Sequence, residues 1–238
     1  MKIRSNVLST AIVLFSLSVL AIAAVDGLSV KRQVKEGEIL KMQIKGDFEV
    51  AGNQATITAM SQSKVTKIDT DGSYTTEATQ SDSKVSIGGQ DMALPESPPI
   101  ITVYNADGSV KMLLGEPETT SASAYRVANL QAVIDPGKPL NVGDAWSIDI
   151  KADAKTGAAA AKADYKILGE EKVGDIDTIK VQATVKETSG TEPASSESTY
   201  WLEKGNGSKV KSESKWTNVP LPTAPGPISG TMTMTRVN

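Results

Sequence analysis

The chain of 238 residues contains no cysteine and no histidine. Without cysteine there is no disulfide to staple the fold and no thiolate for catalysis or metal binding. Without histidine the Ser-His-Asp and Cys-His arrangements are excluded, together with the usual zinc and copper sites. Phenylalanine is scarce as well: of the two, Phe15 lies in the apolar leader described below, which leaves Phe48 alone for a core. Burial must therefore rest on Val, Ile, Leu, Met and Ala with a few Tyr and Trp. The sequence also lacks a G-x-S-x-G nucleophile elbow, a phosphate-binding G-x-x-x-x-G-K-[ST] loop and a dinucleotide fingerprint. No cofactor and no metal are implied. Acidic side chains outnumber basic ones, 28 to 25, and the basic ones form no stripe, so nucleic acid is excluded as a partner.

What is present begins with a leader. Lys2 and Arg4 precede an uncharged apolar run from Val7 to Ala24 that closes on Ala21-Ile22-Ala23. This is the layout of a secretory signal peptide, residues 1–23, with cleavage near Ala23. The run is also long enough to remain as an uncleaved anchor, but its small-residue exit favours cleavage. No cysteine follows it, so no lipid is attached there. The mature protein, from Ala24, is then expected to be exported and soluble, periplasmic or extracellular, with membrane contact only through the leader before cleavage. About 215 residues remain, enough to bury a core as one or two domains.

Internal similarity sets the expected architecture. Gly37-Glu38-Ile39-Leu40-Lys41-Met42-Gln43-Ile44-Lys45-Gly46-Asp47 aligns without a gap on Gly143-Asp144-Ala145-Trp146-Ser147-Ile148-Asp149-Ile150-Lys151-Ala152-Asp153. Tyr74 to Thr79 then matches Ile179 to Thr184, and Gly108 to Lys111 matches Gly207 to Lys211, in the same order. The chain accordingly divides into the signal peptide, a first β-unit over 24–115, a helical connector over 116–135 and a second β-unit over 136–238.

Within the units Leu40, Met42 and Ile44 alternate with polar residues, as do Trp146, Ile148 and Ile150. Period two with one oily face is the mark of antiparallel strands wetted on one side. Asp71-Gly72, Asp107-Gly108 and Asn206-Gly207 are hairpin dipeptides, and Gly52-Asn53 and Thr156-Gly157 read as turns at corresponding places. Ala158 to Ala163 is helical by composition but strand-like by its place in the repeat. A helix is expected from Ser121 to Val133, with Ala124, Val127, Leu130 and Ile134 near one face and a stop at Asp135-Pro136. It would cover an open sheet face or tie the two units together. Leu94 to Pro99 and Val219 to Pro227 carry too many prolines for sheet interiors and read as loops. The last strand, Ile228 to Val237, turns Met232 and Met234 inward and closes the second sheet. The fold class is mainly β: two tandem antiparallel units, as curved sheets or a half-barrel, with a short connecting helix after the leader.

Pro136-Gly137-Lys138-Pro139-Leu140-Asn141-Val142-Gly143-Asp144-Ala145-Trp146 resembles the P-x-x-P-V-x-V-G-D-x-W phrase that opens the second half of a family of exported, β-rich bacterial proteins of unknown function. The resemblance extends to Tyr165–Leu168 and Val173-Gly174, with Leu140 in place of the usual valine. It implies export and a β-rich fold and carries no activity. The one-sided strands with a helix between units are also similar in architecture to lipoprotein carriers, whose half-barrel surrounds a hydrophobic cavity.

Three groups of residues are candidates for chemistry. Glu38 and Asp144 hold equivalent places and would form a carboxylate pair in a hydrolase, or else serve as polar turn residues. Asp69-Thr70-Asp71-Gly72-Ser73 resembles the start of a calcium loop without its closing glutamate and reads as a hairpin turn. Trp146, Trp201 and Trp216 all fall in the second unit, where they could line a lipid pocket or be the main packing residues. The leading expectation is a non-enzymatic envelope protein whose curved sheets enclose an apolar surface for a hydrophobic, lipid-like small molecule, with these tryptophans as the candidate ligand-binding residues. The alternatives are a structural module that meets another envelope protein and a hydrolase using carboxylates alone.

Overall fold

The computed structural model of this chain describes residues 27–50, 52–115, 118–221 and 226–237, and among these residues there are twelve strands and one helix. The expected signal peptide, 1–23, lies outside these residues. The strands are β1 (Ile39–Val50), β2 (Asn53–Ile68), β3 (Tyr74–Ile87), β4 (Gln90–Ala93), β5 (Ile100–Tyr104) and β6 (Val110–Leu114). The helix α1 (Glu118–Leu130) follows, and then β7 (Ala145–Ile150), β8 (Ala161–Val173), β9 (Ile176–Glu187), β10 (Ser195–Glu203), β11 (Lys209–Pro220) and β12 (Pro227–Val237). All belong to one open antiparallel sheet in the order β6-β5-β3-β2-β1-β12-β11-β10-β9-β8-β7, with β4 added to the far end of β3. The protein is mainly β, as its alternating patterns require.

The expected alternation fixes which side of each strand faces inward. Met42 and Phe48 of β1 are buried between exposed Lys41, Gln43, Lys45 and Glu49, and Ile44 packs against the core. The register carries this face across the sheet, for example Phe48↔Ala55 on one side and Phe48↔Gly230 on the other. Asp71-Gly72, Asp107-Gly108 and Asn206-Gly207 form the expected tight turns, each glycine at positive φ. Where pairing slips, Asp82 and Asn218 take the left-handed conformation that their short polar side chains tolerate.

Three elements differ from the sequence expectation. Strand β12 does more than close the second unit: it pairs with β11 and also with β1, from Lys41↔Val237 to Glu49↔Ser229, so one ladder runs through both halves. The proline-rich stretch after Val219 is strand at both margins, because Val219↔Ile228 and Pro220↔Pro227 pair at the hairpin end, where few ladder donors are needed. The helix begins and ends three residues earlier than expected, at Glu118 and Leu130. It stops there because its last turn tightens, with Gln131 N donating to Ala128 O (3.3 Å) and Ala132 N to Asn129 O (3.4 Å). The chain then runs extended, and its carbonyls are claimed by aromatic side chains: Tyr165 Oη donates to Ala132 O and Trp146 Nε1 to Ile134 O, both at 2.9 Å. Buried backbone without a ladder partner needs such donors.

The main core sits beneath β7 to β12. Ile167, Ile179, Val181, Val185 and Tyr200 close on Leu130 and Ile134 of the connector, on Leu140 after it and on Val30 of the segment before β1. Phe48 and Trp216 meet across the β1–β12–β11 joint, ring centroids 5.8 Å apart. Gly46 and Gly230 leave room for the Phe48 ring, since a Cβ on Gly46 would stand 2.2 Å from it and one on Gly230 2.8 Å. The helix rests against β6 and β11. An ion pair fixes it: Arg126 grips Glu187 of β9 in two-pronged fashion, both contacts 2.6 Å, and Ala194 N donates to the same carboxylate at 2.7 Å.

Glu187 is only 3% exposed, so its charge depends on Arg126. Arg126→Ala should lower unfolding stability by about 3–5 kcal/mol, as expected when one partner of a buried pair is removed. Urea unfolding followed by circular dichroism measures this, and a loss below about 1 kcal/mol would show that the pair behaves as a surface bridge.

Candidate functional site

Under the first strands the inner face is not filled. Its positions there are short: Ser61 and Ser63 on β2, Thr76 and Ala78 on β3, Thr102 on β5. The corresponding face of β8 and β9 carries Tyr165, Ile167, Ile179, Val181 and Val185, which pack solidly against the connector. The difference in side-chain volume leaves a groove of about 390 Å³. One wall is the sheet, with Leu40, Met42, Val65, Tyr74, Ile100, Tyr104 and Met234; the other is formed by Val30 and Val34 and, at the end of the helix, by Ala128, Gln131, Ala132 and Val133. The lining is mostly apolar with a few polar groups, the usual make-up of a small-molecule site at the lower end of the ~300–1,000 Å³ range.

Tyr74 and Tyr104 stack at one end, centroids 5.1 Å apart. Charges in and beside the groove are largely neutralised in pairs. Arg32 meets Glu38 at 2.7 Å, and Arg236 meets Glu203 at 2.6 Å while donating also to the Lys209 carbonyl. Lys209 differs. Its half-buried side chain lines the groove with Nζ 5.0 Å from the Tyr200 ring centroid, and it has no carboxylate partner among the described residues. Desolvation lowers its pKa to about 8.

The three tryptophans lie elsewhere. Trp146 is in the core, stacked on Tyr165 with centroids 5.0 Å apart. Trp216 is also in the core, against Phe48, with its Nε1 lacking a hydrogen-bond partner. Trp201 points to the opposite side of the sheet from Tyr200 and Leu202, between Lys180 and Lys211, whose ammonium groups stand 5.0 and 4.6 Å from its ring, and its Nε1 donates to Glu171. None of the three lines the groove. The residues that do were hidden in the sequence because serine, threonine and alanine at inward positions look like weak strand rather than like a site. The available signal was the contrast in size between the inward faces of the two halves.

The carboxylate candidates are absorbed by local structure. Glu38 is held by Arg32 before β1, while Asp144 accepts from Asn141 N at 2.8 Å in the turn before the edge strand β7. Asp71 accepts from Ser73 N at 2.9 Å and Ser73 Oγ at 2.6 Å, which makes the Asp69–Ser73 segment the expected hairpin. Among the described residues no group of three or more acidic side chains could hold a metal ion. A second depression, of about 450 Å³, lies on the outer face between Thr184, Glu197, Thr199, Glu213 and Thr231; it is shallow, polar and open to solvent. Among the described residues no helix is long and apolar enough to cross a membrane.

The groove and the sheet together define an open antiparallel β-sheet protein with a helix and an extended segment laid along its inner side. No family model matches this chain, and no curated protein sequence matches it. Among solved structures it is similar to lipovitellin, in a structure concerned with lipid–protein interactions, at 10% identity and a TM-score of 0.48, over 87% of this chain and 26% of that one. It is similar to a protein from Bacteroides fragilis described as exported and as having a YmcC-like fold, at 13% identity and a TM-score of 0.36, over 88% of this chain and 97% of that one. A third is a protein from Parabacteroides distasonis described as a lipoprotein, at 14% identity and a TM-score of 0.36, over 89% of this chain and 98% of that one. The chain thus spans about a quarter of the lipovitellin chain.

Desolvation raises the pKa of Tyr74, Tyr104 and Tyr165 above the ordinary phenol range and pushes Tyr200 up to about 12. These phenols stay neutral in the folded protein while unfolded ones ionise from about pH 10, so stability is lost as pH rises above about 10. Most of the rise in absorbance at 295 nm should therefore accompany unfolding. Ionisation of most of the five tyrosines near pH 10 in a still-folded protein would contradict the burial described here.

Proposed function

We propose that this chain is an exported, non-enzymatic β-rich protein that holds a hydrophobic, lipid-like molecule in the groove beneath β1, β2, β3 and β5. The observation that carries the proposal is the unfilled inner face: apolar walls enclose about 390 Å³ where the other half of the same sheet packs a solid core. The leader at 1–23 supports export, and the absence of histidine and cysteine supports a binding role over catalysis. We also propose that 24–115 and 136–238 are two copies of one unit joined through 116–135. Their similar segments lie on β1 and β7, on β3 and β9, and at the turns that open β6 and β11. In this reading one copy kept its core and the other emptied part of it.

Native mass spectrometry of the mature protein, Ala24 to Asn238, purified without detergent from its own host, tests the binding role. Extra mass that disappears on solvent extraction is the expected result. Ala78→Phe places a ring in the open groove, where there is room for it, and should leave the melting temperature within a few degrees while abolishing binding of the apolar dye N-phenyl-1-naphthylamine. Unchanged dye binding in that variant would exclude the groove as the site.

A second reading, a module that meets another envelope protein, is favoured by the edge strand β6, where Met112 and Leu114 are about 45% and 41% exposed. Exposed edges are ready templates for pairing with another chain. A specific crosslinked partner with no small molecule bound would support it.

A further inference from the structure

We infer that the groove selects a single-chain amphiphile with one anionic head group, carboxylate or phosphate, whose counter-charge is the ammonium of Lys209. This rests on the binding role proposed above and adds the class of ligand. The cations and anions that surround Lys209 are otherwise matched. Arg32 from the segment before β1 pairs with Glu38, and Arg236 of β12 pairs with Glu203 of β10. The remaining titratable neighbours are phenols, Tyr200 beneath the ammonium and Tyr74 and Tyr104 farther along, all kept neutral by burial. One uncompensated positive charge is therefore left on the lining. A half-buried charge is costly unless paired, and an incoming anion supplies the pair.

The position of the charge is consistent with a head-and-tail ligand. Lys209 sits at the start of β11 beside Leu202, Gly207 and Met234, at one side of the groove, while the apolar wall continues through Met42 and Val65 toward Ile100. The volume of about 390 Å³ accommodates one acyl chain. The charge also sets a pH window. With a pKa near 8, Lys209 is mostly protonated at pH 7 and mostly neutral at pH 9.5, so attraction for an anion is present below about 8 and fades above it.

The test uses the mature chain and four probes below their micelle concentrations: dodecanoate, dodecyl phosphate, dodecanol and dodecyltrimethylammonium, each displacing N-phenyl-1-naphthylamine. At pH 7 at least one anionic probe should bind tenfold or more tighter than dodecanol, and the cation should bind worst. Lys209→Met should erase the difference between anion and alcohol, and Lys209→Arg should keep it. Wild-type affinity for the anion should drop between pH 7 and 9.5, and that of Lys209→Met should not. A preference for dodecanoate over dodecyl phosphate identifies a fatty-acid head, and the reverse a phosphate head. Equal binding of anion and alcohol by the wild type overturns the role of Lys209 while the apolar site stands. No binding of any probe overturns the binding role itself.

Discussion

Everything in this molecule depends on the ladder between β1 and β12. These strands lie at the two ends of the described chain, and their pairing from Lys41↔Val237 to Glu49↔Ser229 joins five strands on the β1 side to six on the β12 side along the main path. Without it each half would expose a long central edge, a template for aggregation. The joint is strengthened on its inner face by the contact of Phe48 with Trp216, the one phenylalanine among the described residues meeting the largest side chain of β11. Because these partners are separated by almost the whole sequence, the joint forms at a high entropic cost and favours slow folding.

The two halves share one sheet but divide the work. Under β7 to β12, large aliphatic and aromatic side chains exclude water and bury the extended segment after the helix, whose carbonyls are satisfied by Tyr165 and Trp146. That half supplies most of the hydrophobic stabilisation, and Arg126 with Glu187 locks the helix onto it. Under β1 to β5 the helix end and the segment through Val30 and Val34 stand over small residues, and space remains. A rigid half can support an open one, because stability needs only enough buried area somewhere in a continuous sheet.

Much of this was legible in the sequence. The inward faces of β1 and β7, the glycine turns and the strand nature of Ala161 onward follow from period-two patterning and turn chemistry, which are local. The helix was legible in kind but displaced by three residues, since its last turn tightens and the extended segment that follows is held by donors from Tyr165 and Trp146, 33 and 12 positions away from the carbonyls they bind. The tryptophans drew attention as large amphipathic rings, yet their places in the core and on the outer face depend on what stands across the sheet from them. The groove was the least legible part, because a cavity is defined by the volume that is missing between elements far apart in the chain.

The sequence by itself determined the class of structure and the excluded chemistry: antiparallel strands from alternation, reliance on burial from the lack of cysteine, and no histidine-based catalysis. Only the tertiary structure decided that the two halves form one sheet, that one half packs solid while the other stays open, and that Lys209 has no carboxylate partner among the described residues. The physical reason is that backbone pattern is written in near neighbours, whereas pairing of β1 with β12, filling of space and compensation of charge are settled between residues that meet only after folding.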